Sequence, residues 1–297
     1  MIKRTLHFGN PAYLSTTLEQ LVIRRDSKPD VTVPIEDIAA VVLDHPTITL
    51  SQALLGKLLD HNVAVVSCNQ QHLPVGLLLP LEGNSVQNER FAAQLLSSEP
   101  LKKQLWRQTV QAKIRNQARL LKKLGREDGK LLNLAKAVRS GDAGNHESQA
   151  AVIYWRQLFD LDDFVRRRYG APPNNQLNSG YAILRALVAR ALVAAGLLPT
   201  LGIHHHNRYN AYALADDLME PYRPFVDELV TKLVGDGWDL DDLTPDLKRE
   251  LLQIPTLEVE LEGESRRLLD GVDISASSLR QGLEGSSKKL RFPVICR

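Results

Sequence analysis

The sequence predicts an α+β protein in which a β-rich N-terminal domain is followed by a larger all-α C-terminal domain. Three observations carry this. Up to about Pro80 the apolar runs are short, rich in β-branched residues and separated by turn formers. From residue 86 onward the apolar residues recur at helical spacing. Between the two lies Glu82-Gly83-Asn84-Ser85, with the composition of a linker. The expected division is therefore a domain at 1–81, a linker at 82–85 and a helical domain at 86–297.

The expected strands are Gln20–Ile23, Val31–Val33, Ala39–Leu43 and Val63–Ser67. Asn10-Pro11, Lys28-Pro29-Asp30 and Asp44-His45-Pro46 supply the turns between them. Before the last strand, Ser51 to Asp60 carries Ala53, Leu54 and Leu58, a short helix with Ser51 as its N-cap. In the second part, Leu101 to Leu124 repeats apolar residues at Leu101, Leu105, Val110, Ile114, Leu121 and Leu124. Another helix runs from about Ser179 to Ala195 and stops at Gly196 and Pro199. Phe225–Leu233 is a further amphipathic helix, and Leu257–Glu260 is a strand-like run. The basic tail from Ser286 is expected to be mobile.

At 297 residues the chain can bury one large core or two ordinary ones. A net charge of only +2 means that a nucleic-acid partner must be held by a local patch. Cys68 and Cys296 lack companions at ligand-like spacing, which excludes zinc ribbons and disulfide frameworks and fits a reducing compartment. The start, MIKRTLHFGN, has no apolar core for a signal peptide. Tyr181 to Leu198 carries Arg185 and Arg190 and reads as a buried amphipathic helix, not a membrane span. The expectation is a soluble, cytoplasmic protein.

Between Leu101 and Arg126 stand nine basic residues and no acid: Lys102, Lys103, Arg107, Lys113, Arg115, Arg119, Lys122, Lys123 and Arg126. Such a one-sided helix attracts phosphate, and Arg166-Arg167-Arg168 adds a second cluster. Aromatic residues are scarce at 5%, which favours duplex backbone over stacked single-stranded bases. The alternative is a merely solvated helix face. His7, His45, His61 and His72 are scattered and read as structural, and Cys68 as buried and inert.

The richest segment is Gly202 to Pro224, GIHHHNRYNAYALADDLMEPYRP. If Ala211 to Met219 is helical, Asp217 and Glu220 share a face, as do Asp216 and Glu220. One imidazole with two or three carboxylates suits Mg2+ or Mn2+ better than zinc. The plainer reading leaves Asp216 and Asp217 solvated and the histidines on a loop. Arg223 can orient Glu220 or meet a phosphate. Glu147, in a helix first turn, has a simple explanation in the helix dipole.

Taken together, the motifs resemble the integrase subunit of the CRISPR adaptation machinery, the DNA endonuclease that inserts new spacers. The resemblance spans the chain and is densest in PIEDI from Pro34, VVLDHP, Glu147 with AAVIYW, GYAILRA from Gly180, GLLPTLGIHHHNR from Gly196 and DDLMEPYRPFVD from Asp216. The wording of the last two is similar to that in type II systems. The resemblance implies a site for Mg2+ or Mn2+ made by Glu147, His205 and Glu220, with Asp217 as an assistant. His205 is preferred to His204 and His206 because it keeps the family's spacing from Gly202. Ser148 replaces the glycine that many members have. Also implied are a dimerising N-terminal domain and two integrase dimers flanking a dimer of a small ferredoxin-like subunit, a heterohexamer on double-stranded DNA. A type II effector nuclease is a further candidate partner. The implied reaction is attack of spacer 3′-hydroxyls on phosphodiesters at the repeat edge. A metal-dependent repair nuclease and a non-catalytic DNA-binding scaffold are the competing classes.

Overall fold

The computed structural model describes residues 3–70, 74–161 and 164–296. His72, read as structural above, lies outside them. The N-terminal strands are β1 (Arg4–Phe8), β2 (Tyr13–Thr17), β3 (Gln20–Arg25), β4 (Lys28–Pro34), β5 (Ile38–Leu43) and β6 (Thr49–Leu50). They are followed by α1 (Gln52–Asp60), β7 (Ala64–Cys68) and β8 (Pro74–Leu78). They form two four-stranded sheets, ordered β4-β3-β2-β6 and β1-β5-β7-β8. The first is antiparallel apart from the β2–β6 pair. The second is parallel through β1, β5 and β7 and closes with antiparallel β8.

The unbroken apolar run of β5 follows from burial on both faces. Val41 and Val65 enter a core with Leu14, Leu21, Leu54 and Leu58, whereas Val42 and Val66 meet Ala186 from the helical part. Ser51 caps α1 as expected, its Oγ accepting from Leu54 N at 3.2 Å.

The second part contains α2 (Gln87–Leu96), α3 (Glu99–Lys123), α4 (Gly129–Ala137), α5 (His146–Leu158), α6 (Asn174–Ala194) and α7 (Ala213–Met219). The chain continues with α8 (Arg223–Gly235), α9 (Pro245–Leu251), β9 (Glu258–Leu261), β10 (Glu264–Arg267) and α10 (Leu268–Leu283). β9 and β10 make an antiparallel hairpin turning through Glu262 and Gly263, both at positive φ, so this part is helical with one small strand pair. α3 buries Leu105, Trp106, Val110, Ile114, Leu120 and Leu121. α6 begins at Asn174, earlier than its apolar period indicates. Its first turn is polar but buried, with Asn174 Oδ1 accepting from Arg167 N and Gln176 Nε2 donating to Leu240 O. Gly196, at φ +75°, ends the helix. By length and hydropathy α6 could cross a membrane, but 67% of that window is buried inside the protein.

The tail is a correction to the sequence reading: it is docked. Leu290 and Ile295 are buried, Val294 pairs with Glu260, and Arg291 O accepts from Ser275 Oγ. Its charge signalled solvent, but its apolar residues and backbone carbonyls find a groove along α3 and α10.

Candidate active site

Three separate stretches meet beside α3. Glu147 stands in the first turn of α5. The orphan N–H groups there are satisfied by Asp142, whose Oδ1 accepts from His146 N at 2.9 Å and Oδ2 from Glu147 N at 3.0 Å. The Glu147 side chain is thus not occupied in capping its own helix. Its Oε1 lies 2.6 Å from Lys113 Nζ. Glu220 begins the 3-10 turn after α7, and its Oε2 lies 2.5 Å from the same Nζ. Arg223 Nε donates to Glu220 Oε1 at 2.8 Å, and its guanidinium sits 4.6 Å over the Tyr181 ring.

These contacts set the charges. Burial alone would raise the Glu220 carboxyl, but Arg223 and Lys113 outweigh it and hold it down to about 2. Burial would lower Lys113, but Glu220 and Glu147 reverse that and raise it. Glu220 Oε2 touches Lys113 as an ion pair without a directed hydrogen bond.

The histidines occupy a loop organised by Asp217. That carboxylate is fully buried; its Oδ2 accepts from Ile203 N at 2.7 Å and His204 N at 2.9 Å. Oδ1 accepts from His205 N at 3.3 Å and from His205 Nδ1 at 2.5 Å. A carboxylate can only accept, so Nδ1 carries a proton, and in the neutral ring Nε2 is the lone-pair nitrogen. The hydrogen bond to Asp217 raises the His205 pKa, against burial. His204 stacks on Trp106 at 4.2 Å and 4°, and burial lowers its pKa. Trp106 also meets the His205 ring edge-on at 5.5 Å. Both plain readings of the acidic cluster therefore need revision. Asp217 anchors the loop, and Asp216 binds Arg185 Nε and Asn210 Nδ2.

Among the described residues, no three His, Cys, Asp or Glu side chains are gathered closely enough to grip a metal as they stand. Lys113 spaces the two carboxylates. The donor set nevertheless fits a hard divalent ion: two carboxylates from different elements, one of them buried, and an imidazole held by Asp217.

The basic helix is divided. Lys103, Arg115, Lys122 and Lys123 are exposed, while Lys102, Arg107, Arg119 and Arg126 are half-buried. Lys113 turns inward, and Arg119 donates to Ile295 O. A helix packed on several sides cannot present all its charges to solvent. Arg166, Arg167 and Arg168 instead line a cleft of about 1010 Å³ with Arg185 and Arg223, and Arg223 also binds Glu220. Sequence reasoning placed Lys113 among the phosphate-facing cations and not between the two glutamates, and it missed Trp106, Arg185 and Asp142 as site residues. Among the scattered histidines, His7 contacts Asp44, His45 contacts Thr47, and His61 contacts the Lys57 carbonyl. Cys68 is half-buried, its thiol pushed up to about 12 by burial and by Asp44.

The family model described as CRISPR associated protein Cas1 matches residues 7–256. The chain belongs to the Cas1 family. The CRISPR-associated endonuclease Cas1 of Neisseria meningitidis serogroup C (strain 8013) is 38% identical over 298 residues, covering 99% of this chain and 97% of the relative. Among solved structures, a casposase bound to integration product superposes with a TM-score of 0.79 at 20% identity, over 98% of this chain and 92% of that one. A chain of a Cas6-RT-Cas1–Cas2 complex gives a TM-score of 0.73 at 20% identity, over 96% of this chain and 35% of that one. At these identities the structural likeness is one of fold, and the α+β arrangement of N-terminal strands and helical C-terminal part is that of Cas1 proteins and the casposase.

Proposed function

We propose that this Cas1-family chain is a metal-dependent DNA endonuclease and integrase of CRISPR adaptation, joining spacer 3′-hydroxyls to phosphodiesters at the repeat edge. The observation that carries this reading is the meeting of Glu147 and Glu220, from α5 and the turn after α7, on one buried point. The names of the Neisseria relative and the casposase support it.

Glu147, Glu220 and His205 Nε2 would hold Mg2+ or Mn2+. Such an ion, when bound, lowers the pKa of an attacking hydroxyl and polarises the phosphodiester. Asp217 keeps His205 in the tautomer that presents Nε2. Arg223 fixes the Glu220 carboxylate and, as a lining residue of the cleft, adds positive charge between the two. Arg166, Arg167, Arg168 and Arg185 hold the DNA backbone and align it. In transfer one P–O bond forms as another breaks, and the proton of the attacking hydroxyl ends on the leaving oxygen, so no nucleotide cofactor is needed. Water in place of the hydroxyl gives cleavage.

In the same reading residues 1–81 form the dimerisation domain, and a small ferredoxin-like subunit completes a heterohexamer; the Cas6-RT-Cas1–Cas2 assembly supports such a partner. The test is strand transfer from labelled duplex DNA to a supercoiled plasmid carrying the repeat, with the small subunit and Mn2+ or Mg2+. Label joined at the repeat edge by the native chain but not by His205→Ala supports the proposal. Nicking without joined label would assign a nuclease, and equal joining by both proteins would remove His205 from the ligand set.

A further inference from the structure

A buried ammonium is unfavourable unless carboxylates compensate it. For Lys113 the compensation comes from the very residues assigned above to the metal. Its side chain is 12% exposed and that of Glu220 8%. Nζ reaches Glu147 Oε1 and Glu220 Oε2, while Arg223 takes Glu220 Oε1. The local formal charges, two carboxylates against Lys113 and Arg223, sum to zero. A divalent ion that Glu220 ligates must use an oxygen already paired with Lys113 or Arg223, and one that Glu147 ligates lies beside the same ammonium. It would also add two positive charges to that balanced set, offset in part by Asp217 behind His205 and further by an entering anion.

We propose that Lys113 is an internal counter-ion that competes with divalent metal for Glu147 and Glu220, so that metal uptake depends on the arrival of a DNA phosphodiester. The proposal rests on the reading of those glutamates as ligands. Lys113 is then a positioning residue with two duties. Before loading it holds the carboxylates of α5 and of the turn after α7 together. During loading it must yield them, and the DNA backbone entering along the arginine-lined cleft supplies the negative charge that rebalances the site.

The test measures Mn2+ affinity by titration calorimetry and electron paramagnetic resonance, with and without a short duplex bearing free 3′-hydroxyls. Without DNA, Lys113→Met binds Mn2+ roughly tenfold or more tightly than the native chain, whereas Lys113→Arg shows no such gain. Adding the duplex narrows the difference. If Lys113→Met does not fold, Lys113→Gln, which keeps the length without the charge, carries the same expectation. Equal or weaker Mn2+ binding by the neutral variants overturns the competition. A difference that the duplex leaves unchanged overturns the dependence on DNA. Absence of Mn2+ binding in every protein, with and without duplex, overturns the ligand reading as well.

Discussion

Replacing Asp217 separates its two tasks, holding the histidine loop and setting the His205 tautomer. In Asp217→Ala the N–H groups of Ile203, His204 and His205 all lose their acceptor, together with His205 Nδ1. Hydrogen bonds to a charged acceptor contribute about 1.5–3 kcal/mol each. They are not additive, and the exposed loop can hydrate some donors, so the expected loss of folding stability is about 3–5 kcal/mol. Asp217→Asn is different. Its carbonyl oxygen can replace Oδ2, keeping Ile203 N and His204 N bound, while its amide takes the place of Oδ1, losing the long bond from His205 N and facing His205 Nδ1 with N–H. Stability should fall by only about 1–2 kcal/mol, but His205 should switch its proton from Nδ1 to Nε2. Metal affinity should then drop roughly 10–100-fold. Urea unfolding gives the first quantity, nitrogen chemical shifts of the His205 ring the tautomer, and Mn2+ titration the affinity. An Asp217→Ala chain within about 1 kcal/mol of the native one, or an Asp217→Asn chain with its proton still on Nδ1, would refute the reasoning.

Asp227 is buried and accepts hydrogen bonds from Tyr154 at 2.7 Å and from Tyr181. Burial, opposed by those hydroxyls, raises its pKa from 3.8 to about 6. The native state thus holds this proton more tightly, and the contribution is largest below 3.8 and declines as pH rises through 6. Asp227→Asn should therefore gain on the native chain by about 2 kcal/mol between pH 4 and 7; a pH-independent difference in urea unfolding would contradict this. In Gly202→Ala the new Cβ would meet His205 O at 2.4 Å and Asp217 Oδ2 at 2.9 Å. Faster amide exchange at Ile203 to His205 is expected, with a loss of about 1–3 kcal/mol, and unchanged exchange would show that the loop has slack. Ile295→Ala should cost about 2–5 kcal/mol, since Ile295 is 1% exposed; a neutral result would mean the tail is not docked in solution. Lys122→Glu with Lys123→Glu should lower duplex affinity and reduce the salt slope by about 2, read by fluorescence anisotropy. An unaltered slope would take these lysines out of the DNA contact.

What the sequence made legible was local. Ser51 announced its cap and Gly196 its helix end, because each rests on neighbouring backbone groups. The twofold-buried run of β5 was equally plain. β1 and β2 were missed because Arg4–Phe8 and Tyr13–Thr17 mix polar and apolar residues, and pairing with β5 and β3 makes them strands. In the site, the family resemblance pointed to Glu147, His205 and Glu220, and folding brings Glu147 and Glu220 to one ammonium. The ammonium itself was hidden: in a run of nine like charges, nothing local distinguishes the lysine that faces inward. The ion pair of Lys248 with Asp44, joining α9 to the end of β5, was likewise invisible at its separation along the chain.

Asn116 joins the two ends of the helical part. Its Nδ2 donates to Pro221 O, next to Glu220, and to Pro293 O in the tail, while its Oδ1 accepts from Ile295 N. One buried amide thus ties the tail to the turn that carries Glu220. Loosening the tail therefore loosens the position of that carboxylate as well, although no tail residue touches it.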